Sequence, residues 1–274
     1  MPQLSGDLIR HKLPTYVFGQ NVVYTERIGS TNTELKRLAG LNAPEGLLYI
    51  TDEQLVGRGR QDRRWYAPPE SSLLMSLLFR PGAIVAPNQA QRLTMLCAVA
   101  LLEAVSYVAG IAPQLKWPND LLWSDGKKMA GILTELESEG DRLTWVVVGT
   151  GLNVNLDFTK HETYQKGNGN PPLSQTATSI STILGRDCSD LRLPILQRYL
   201  FNVEQRYNAL QAGELPHNEW LQHLRGLNEP ITVLQVDGAR LVGVMAGVDE
   251  DGALLLRDET GAISRVLAGD VSFR

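Results

Sequence analysis

Apolar residues recur in two different patterns along the chain. Up to Gly226, short apolar or β-branched runs alternate with longer apolar segments, which is typical of strands interleaved with helices. The predicted strands cover residues 21–25, 47–51, 72–79, 114–120, 128–136 and 143–155. The predicted helices cover residues 31–40, 87–109 and 189–211, each with a polar or proline start. This part predicts an α+β fold, a mixed β-sheet with helices packed on one face.

The pattern changes at Pro230. Five short alternating runs follow, and their turns fall at Asp237-Gly238, Asp251-Gly252 and Thr260-Gly261. Such closely spaced strands with Asp-Gly turns are typical of a small closed β-barrel of SH3-like size. We therefore expect a larger domain over residues 1–226 and a barrel domain over residues 227–274.

Composition and charge narrow the function classes. Apolar residues make up 43% of the 274 residues, which is ordinary for a globular protein, and the net charge of −4 provides no general attraction to nucleic acid or anionic membranes. The most apolar stretch, 95–112, is interrupted by Glu103 and Gly110 and is interpreted as a core helix rather than a membrane span.

The cysteines and histidines bear on the cellular compartment and on metal binding. Two distant cysteines and no apolar leader favour the cytoplasm. The four histidines lack metal-ligand spacing and are interpreted as surface or packing residues.

Residues 57–65, GRGRQDRRW, form a cationic segment in this acidic background. Arginine offers planar donors that fit phosphate and carboxylate, and glycine leaves the backbone free, so we expect a mobile loop that binds an anion. A solvated arginine turn, or an Arg-Gly segment that touches nucleic acid, would account for the same residues. The segment alone does not separate these interpretations.

Two features of the predicted sheet also point to a ligand. Lys116 lies between the apolar Leu115 and Trp117, so on a strand its side chain faces away from both and towards an anion or water. Gly131, Gly149 and Gly151 interrupt two neighbouring strands, which indicates the close approach of a ligand, a bulge or tight packing. We therefore expect these glycines to form the floor of a ligand-binding site on the sheet.

These motifs resemble those of the biotin–protein ligases, the biotin–[acetyl-CoA carboxylase] ligases. The matching segments are Ser30-Thr31-Asn32, Gln54 with GRGRxxRxW at 57–65, KWPND at 116–120, KMAGIL at 128–133, GTGLNVN at 149–155, Ala177-Thr178-Ser179 and GVDEDGALLL at 247–256. The resemblance spans almost the whole chain and implies a class II synthetase-like catalytic domain before the barrel. Some members carry an N-terminal winged helix-turn-helix domain. About two dozen residues precede the first predicted strand here, so we expect no nucleic-acid binding.

The resemblance implies a two-step reaction. The carboxylate of biotin attacks the α-phosphorus of MgATP, giving biotinyl-5′-AMP and pyrophosphate, and a lysine of the biotin carboxyl carrier domain of acetyl-CoA carboxylase then displaces AMP. The implied catalytic residues are Lys116, Arg58 and Arg60. The implied biotin contacts are Ser30, Thr31, Asn32, Gln54, Gly57, Arg58, Gly59, Arg60, Lys116 and Gly131. The implied ATP or adenylate contacts are Arg63, Trp65, Asn119, Lys128, Gly151, Asn153 and Arg274; the protein ligands of Mg²⁺ are left unassigned.

Two other functions stay open on the residues alone. A lipoate–protein ligase would use the same adenylate strategy, although the polar set Ser30-Thr31-Asn32 with Gln54 suits a ureido ring better than a dithiolane. A ligand-responsive binding protein that uses the Arg-Gly segment would need a wider basic surface than the composition provides. The resemblance also allows a homodimer.

Overall fold

The computed structural model of the chain describes residues 4–61, 63–160 and 171–273. The strands of the larger sheet are β1 (Val22–Ile28), β2 (Leu48–Gln54), β3 (Ser72–Phe79), β4 (Gln114–Lys116), β5 (Asp120–Leu122), β6 (Lys128–Glu139) and β7 (Arg142–Asn153). The strands of the smaller sheet are β8 (Pro230–Leu234), β9 (Arg240–Val248), β10 (Leu254–Arg257), β11 (Ile263–Val266) and β12 (Asp270–Phe273). The helices are α1 (Gly6–Arg10), α2 (Thr31–Gly40), α3 (Gln91–Ala109), α4 (Leu173–Thr176), α5 (Ile180–Leu184), α6 (Arg192–Gln211) and α7 (His217–Gln222).

The larger sheet is mixed, as predicted. Its strand order is β1-β2-β3-β7-β6-β5-β4, with β1 and β2 parallel and the remaining neighbours antiparallel. The prediction of one strand over residues 114–120 is wrong. The chain reverses at Trp117–Asn119, so that β4 and β5 pair with Lys116 opposite Asp120. Pro118 lacks an N–H group and cannot continue a ladder, which explains the break.

Helices lie on both faces of this sheet. On one face, α3 and α6 pack over the even-numbered residues of β7, such as Val146 and Val148. On the other face, α2 covers Trp145 and Val147 with Leu35 and Ala39. The predicted arrangement of helices on one face therefore holds for α3 and α6, whereas α2 adds a smaller core on the opposite face, since its apolar stripe needs a surface to bury.

The apolar helix α3 is the centre of the main core. It is preceded by a 3-10 turn, Pro87–Gln89, and the combined segment is long and apolar enough to cross a membrane. In this fold, 13 of the 19 residues of α3 are buried within the protein. The helix ends where predicted, at Gly110 in the left-handed conformation with φ 67°.

The smaller sheet is antiparallel, with strand order β11-β10-β9-β8-β12. In the described pairing, β11 and β12 lie at opposite ends of the sheet, so its closure into a barrel stays a prediction. The domain boundary at 226/227 also stays a prediction. The turn between β9 and β10 packs against the β4–β5 turn and α3: Trp117 Nε1 donates to the carbonyl of Gly252 at 2.9 Å, and Arg92 pairs with Asp251 at 2.7 Å. This contact brings β12 next to the β4–β5 turn.

Candidate active site

A cavity of about 570 Å³ lies on the α2 side of the larger sheet. With two exceptions, every residue predicted to contact biotin, ATP or the adenylate lines it. Gly57 is buried outside the cavity wall, and Arg274 lies outside the described residues. The tertiary structure thus brings together segments that are more than 100 residues apart in the sequence.

Glycines form the floor of this cavity. On β7, Gly149 and Gly151 follow Trp145 and Val147 on the same face of the strand, and Gly151 pairs with Gly131 of β6. The ring of Trp65 lies so close above that a Cβ atom at Gly151 would be 2.6 Å from Trp65 Cε2. In this structure the groups that approach the glycines closely are protein side chains, Asn32 at Gly149 and Trp65 at Gly151, so the ligand-facing floor stays a prediction.

A polar pocket lies where β2 ends and α2 begins. The side-chain oxygen of Gln54 accepts from the Thr31 amide at 2.8 Å and from the Thr31 hydroxyl at 3.2 Å. The hydroxyl of Ser76 on β3 lies 2.8 Å from Thr31 Oγ1 and 2.6 Å from Asn32 Oδ1. Ser30 is the N-cap of α2 and also lines the cavity. Its side chain makes no capping bond, and the Thr31 hydroxyl bonds Gln54 rather than capping the helix.

A cluster of cations lies further along the glycine floor. Lys128 pairs with Asp120 at 2.6 Å, and Arg63 pairs with Asp270 of β12. Arg60 donates to the side chain of Asn119 at 3.3 Å. Within the described ranges, Lys116 is the member of this cluster that has no carboxylate oxygen within 4.0 Å. Its ammonium lies 5.8 Å from the centre of the Phe273 ring.

Burial changes the acid–base properties of the cluster. It lowers the pKa of the Lys116 ammonium, and the nearby charge of Lys128 lowers it further, although Asp120 and Asp270 act in the opposite direction. Burial likewise lowers the pKa of Arg60. A partly desolvated cation binds an arriving anion more strongly than one in water does, because less solvent screens the charges. The cluster is therefore suited to phosphate or carboxylate.

The cationic segment forms a narrow hairpin over the site. Arg58 and Arg64 form an antiparallel bridge, and the Trp65 amide donates to the Gly57 carbonyl at 3.0 Å. A Cβ atom at Gly57 would lie 2.5 Å from the Trp65 carbonyl oxygen, so glycine is required by the close approach of the two arms. This packing accounts for Gly57 without a ligand.

Several residues in and around the site were not identified from the sequence, and three of them make notable contacts. Ser76 links Thr31 and Asn32, Glu135 accepts from Arg58 at 3.0 Å, and Asp270 accepts from Arg63. The alternation of β6 could have identified Glu135, which lies four residues after Gly131 on the same face. Asp270 had no local signal, because it belongs to the smaller sheet.

Comparison with known proteins identifies the family. The profile of the Biotin/lipoate A/B protein ligase family matches residues 24–153, and that of the Biotin protein ligase C terminal domain matches residues 226–274. The bifunctional ligase/repressor BirA of Bacillus subtilis is 35% identical over 272 residues, covering 98% of this chain and 79% of the relative. The chain belongs to the biotin protein ligase family. The biotin–[acetyl-CoA-carboxylase] ligase of Paracoccus denitrificans is 33% identical, covering 86% of this chain and 93% of the relative.

Solved structures agree with this assignment. The biotin protein ligase from Aquifex aeolicus in complex with biotin and ATP superposes with a TM-score of 0.69 at 27% identity, covering 93% of this chain and 99% of that one. A second structure of the ligase from the same organism, at 23% identity, has a TM-score of 0.71 and supports the fold. Both sheets therefore follow the architecture of biotin protein ligases.

Proposed function

We propose that the chain is an ATP-dependent biotin–protein ligase that activates biotin as biotinyl-5′-AMP and transfers it to a lysine of a carrier protein. The observation that carries this proposal is that one cavity joins a polar pocket at Thr31 and Asn32 to a cation cluster around Lys116. The first suits a neutral ring with N–H and C=O groups, and the second suits a carboxylate and phosphates. Among curated relatives, the Paracoccus denitrificans protein is named for this activity.

The chemical problem of the first step is that it brings two anions together. At a separation of ~4 Å and an effective dielectric constant of ~20, each pair of unit charges repels by about 4 kcal/mol. Lys116 is rigidly placed on β4 and is free to contact both the carboxylate and the α-phosphate, so we assign it the main electrostatic role. Arg58 and Arg60 lie on the hairpin above and stabilise the charge that develops on the phosphoryl oxygens.

Two buried polar side-chain atoms of the site are also available for contacts with a ligand. Trp65 Nε1 and Asn153 Oδ1 are buried and have no hydrogen-bond partner among the described residues. Both residues line the cavity, and buried polar atoms are nearly always satisfied in proteins. We assign these two atoms to contacts with the nucleotide, with Trp65 stacking on adenine and Lys128 and Asn119 near the triphosphate.

Magnesium enters this proposal as part of the substrate MgATP. Within the described ranges, no group of three or more His, Cys, Asp and Glu side chains is arranged to hold a metal ion. Mg²⁺ bound to phosphates keeps several waters and needs only one or two protein carboxylates. Asp120, next to the cation cluster, is the carboxylate that we assign to it.

The acceptor in our proposal is the biotin carboxyl carrier domain of acetyl-CoA carboxylase, as the names of two relatives suggest. We further propose a cytoplasmic location, which suits the two buried free thiols Cys97 and Cys188. β1 lies at the edge of the larger sheet, and we propose this edge as the place where two chains meet in a homodimer. Light scattering of the purified protein tests that assembly.

The experiment that tests the function is pyrophosphate release upon mixing the protein with biotin and MgATP. A ligase releases pyrophosphate only when both substrates are present, and it labels an added carrier domain with biotin. Lipoate in place of biotin should give no release, since its dithiolane cannot use the hydrogen-bonding groups of the pocket. Tight binding of biotin without any pyrophosphate would instead identify a ligand-responsive binding protein and refute the proposal.

A further inference from the structure

A carboxylate behind the cavity wall connects the polar pocket to the hairpin. Glu135 lies on β6 and is not itself part of the cavity lining. Its two oxygens accept from Asn32 Nδ2 at 2.9 Å, from Lys36 Nζ at 2.5 Å and from Arg58 Nη2 at 3.0 Å. These three donors belong to the first turn of α2, the second turn of α2 and the cationic hairpin. One side chain therefore ties together the three elements that build this end of the site.

The contact with Asn32 decides which way its amide faces. Both hydrogens of Asn32 Nδ2 are used, one by Glu135 and one by the carbonyl of Leu133 at 3.2 Å. The opposite orientation would place the amide oxygen against two acceptors, which is unfavourable. The oxygen is consequently directed over Gly149 and towards Ser76, where it accepts at 2.6 Å and keeps a second lone pair for a ligand in the cavity.

The contact with Arg58 places a cation at the mouth of the same pocket. Arg58 lines the cavity, and one of its nitrogens lies 3.0 Å and 3.2 Å from the two oxygens of Glu135. Burial raises the pKa of Glu135, but hydrogen bonds from Lys36 and Asn32 and the charge of Arg58 lower it by more. The net shift is downward, so the carboxylate stays charged at neutral pH and continues to attract its donors.

We propose that Glu135 is a positioning residue of the ligase reaction: it turns the amide oxygen of Asn32 towards biotin and holds Arg58 at the pocket mouth. The inference rests on the proposed function, because it takes biotin to be the ligand of the polar pocket. Glu135 acts through these two residues and does not touch the substrate.

The test compares two substitutions that remove different parts of the carboxylate. Glu135→Gln keeps an acceptor for the Asn32 amide but removes the charge that holds Arg58. Glu135→Met has similar volume and removes both. Glu137→Gln is the matched control, since it deletes an exposed carboxylate two residues along the same strand. For each variant, calorimetry gives the Kd of biotin without ATP, pyrophosphate release gives kcat, and thermal unfolding checks that the fold is intact.

If Glu135 has this role, the two substitutions should differ in their affinity for biotin but lower kcat alike. Glu135→Met should weaken biotin binding on the order of 10-fold, as expected for a lost charge-assisted hydrogen bond, whereas Glu135→Gln should bind biotin nearly as well as wild type. Both should lower kcat, by roughly 10-fold, because Arg58 is no longer held in place. The Glu137 control should leave both quantities unchanged.

Three results would overturn the inference: wild-type biotin affinity in Glu135→Met, equal losses of affinity in the two variants, or wild-type kcat in Glu135→Gln. A purely structural role would lower affinity and turnover together with thermal stability, and it would not separate the two variants. If the proposed function itself is wrong, the wild-type protein will release no pyrophosphate from biotin and ATP, and this result distinguishes the two cases.

Discussion

The glycine floor provides a quantitative test of how the nucleotide is bound. In Gly151→Ala, the added methyl carbon would lie 2.6 Å from Trp65 Cε2 and 2.8 Å from Trp65 Cζ2. An ordinary carbon–carbon contact is ~3.5 Å, so the indole ring has to move by about 1 Å. The backbone of Gly151 is in a strand, where alanine fits without strain, and the effect should therefore act through the ring.

We expect this displacement to weaken ATP rather than biotin. Stacking between an aromatic side chain and a base contributes ~1–3 kcal/mol, which is about 5- to 150-fold in affinity, and a ring displaced by about 1 Å loses a large share of it. The KM for ATP should rise about 5- to 50-fold. The Kd for biotin should change little, because Asn32 lies over Gly149, two residues away on β7.

Pyrophosphate release at varied ATP, together with calorimetry for biotin, measures both quantities. Gly29→Ala is the matched control, since a Cβ atom there would meet nothing within 4 Å although the next residue, Ser30, lines the cavity. The double variant with Trp65→Ala should be no worse than Trp65→Ala alone. An unchanged KM for ATP in Gly151→Ala, or additive losses in the double variant, would refute the argument.

The remaining predictions concern the cation cluster and the core. Lys116→Ala should reduce the adenylation rate on the order of 10²–10³, and a near-normal rate in a quenched-flow assay would remove Lys116 from the mechanism. Because the pKa of Lys116 is lowered, its ammonium is lost below the ordinary lysine value of 10.5, so adenylation should decline at a lower pH than that, and Lys116→Arg should move the decline to higher pH. Arg60→Gly should release the adenylate, detected as biotin on a bystander protein; equally tight retention would contradict the role of the hairpin. Asp52→Ala leaves the buried Arg192 unpaired and should cost about 3–5 kcal/mol in urea unfolding, whereas Glu34→Ala, in an exposed pair with Arg37, should cost less than about 1 kcal/mol.

Much of the site could be predicted because its parts are local in the sequence. Strand alternation identifies Lys116, which lies between two apolar residues, and the glycines of β6 and β7. The polar residues that precede an amphipathic helix identify the hydroxyl and amide groups at the start of α2. The predicted limits of β3, 72–79, agree with the structure because apolar side chains on both faces give that strand a continuous pattern.

What the sequence alone determined is which side chains share a face, since the periods of strands and helices depend only on local backbone geometry. Only the tertiary structure decided which faces meet. Asp270 reaches the cation cluster because the β9–β10 turn docks on Trp117 and Arg92, and Glu135 gains its role because α2 and the hairpin both converge on β6. Such contacts join residues up to 207 positions apart, and no local pattern encodes the packing that brings them together.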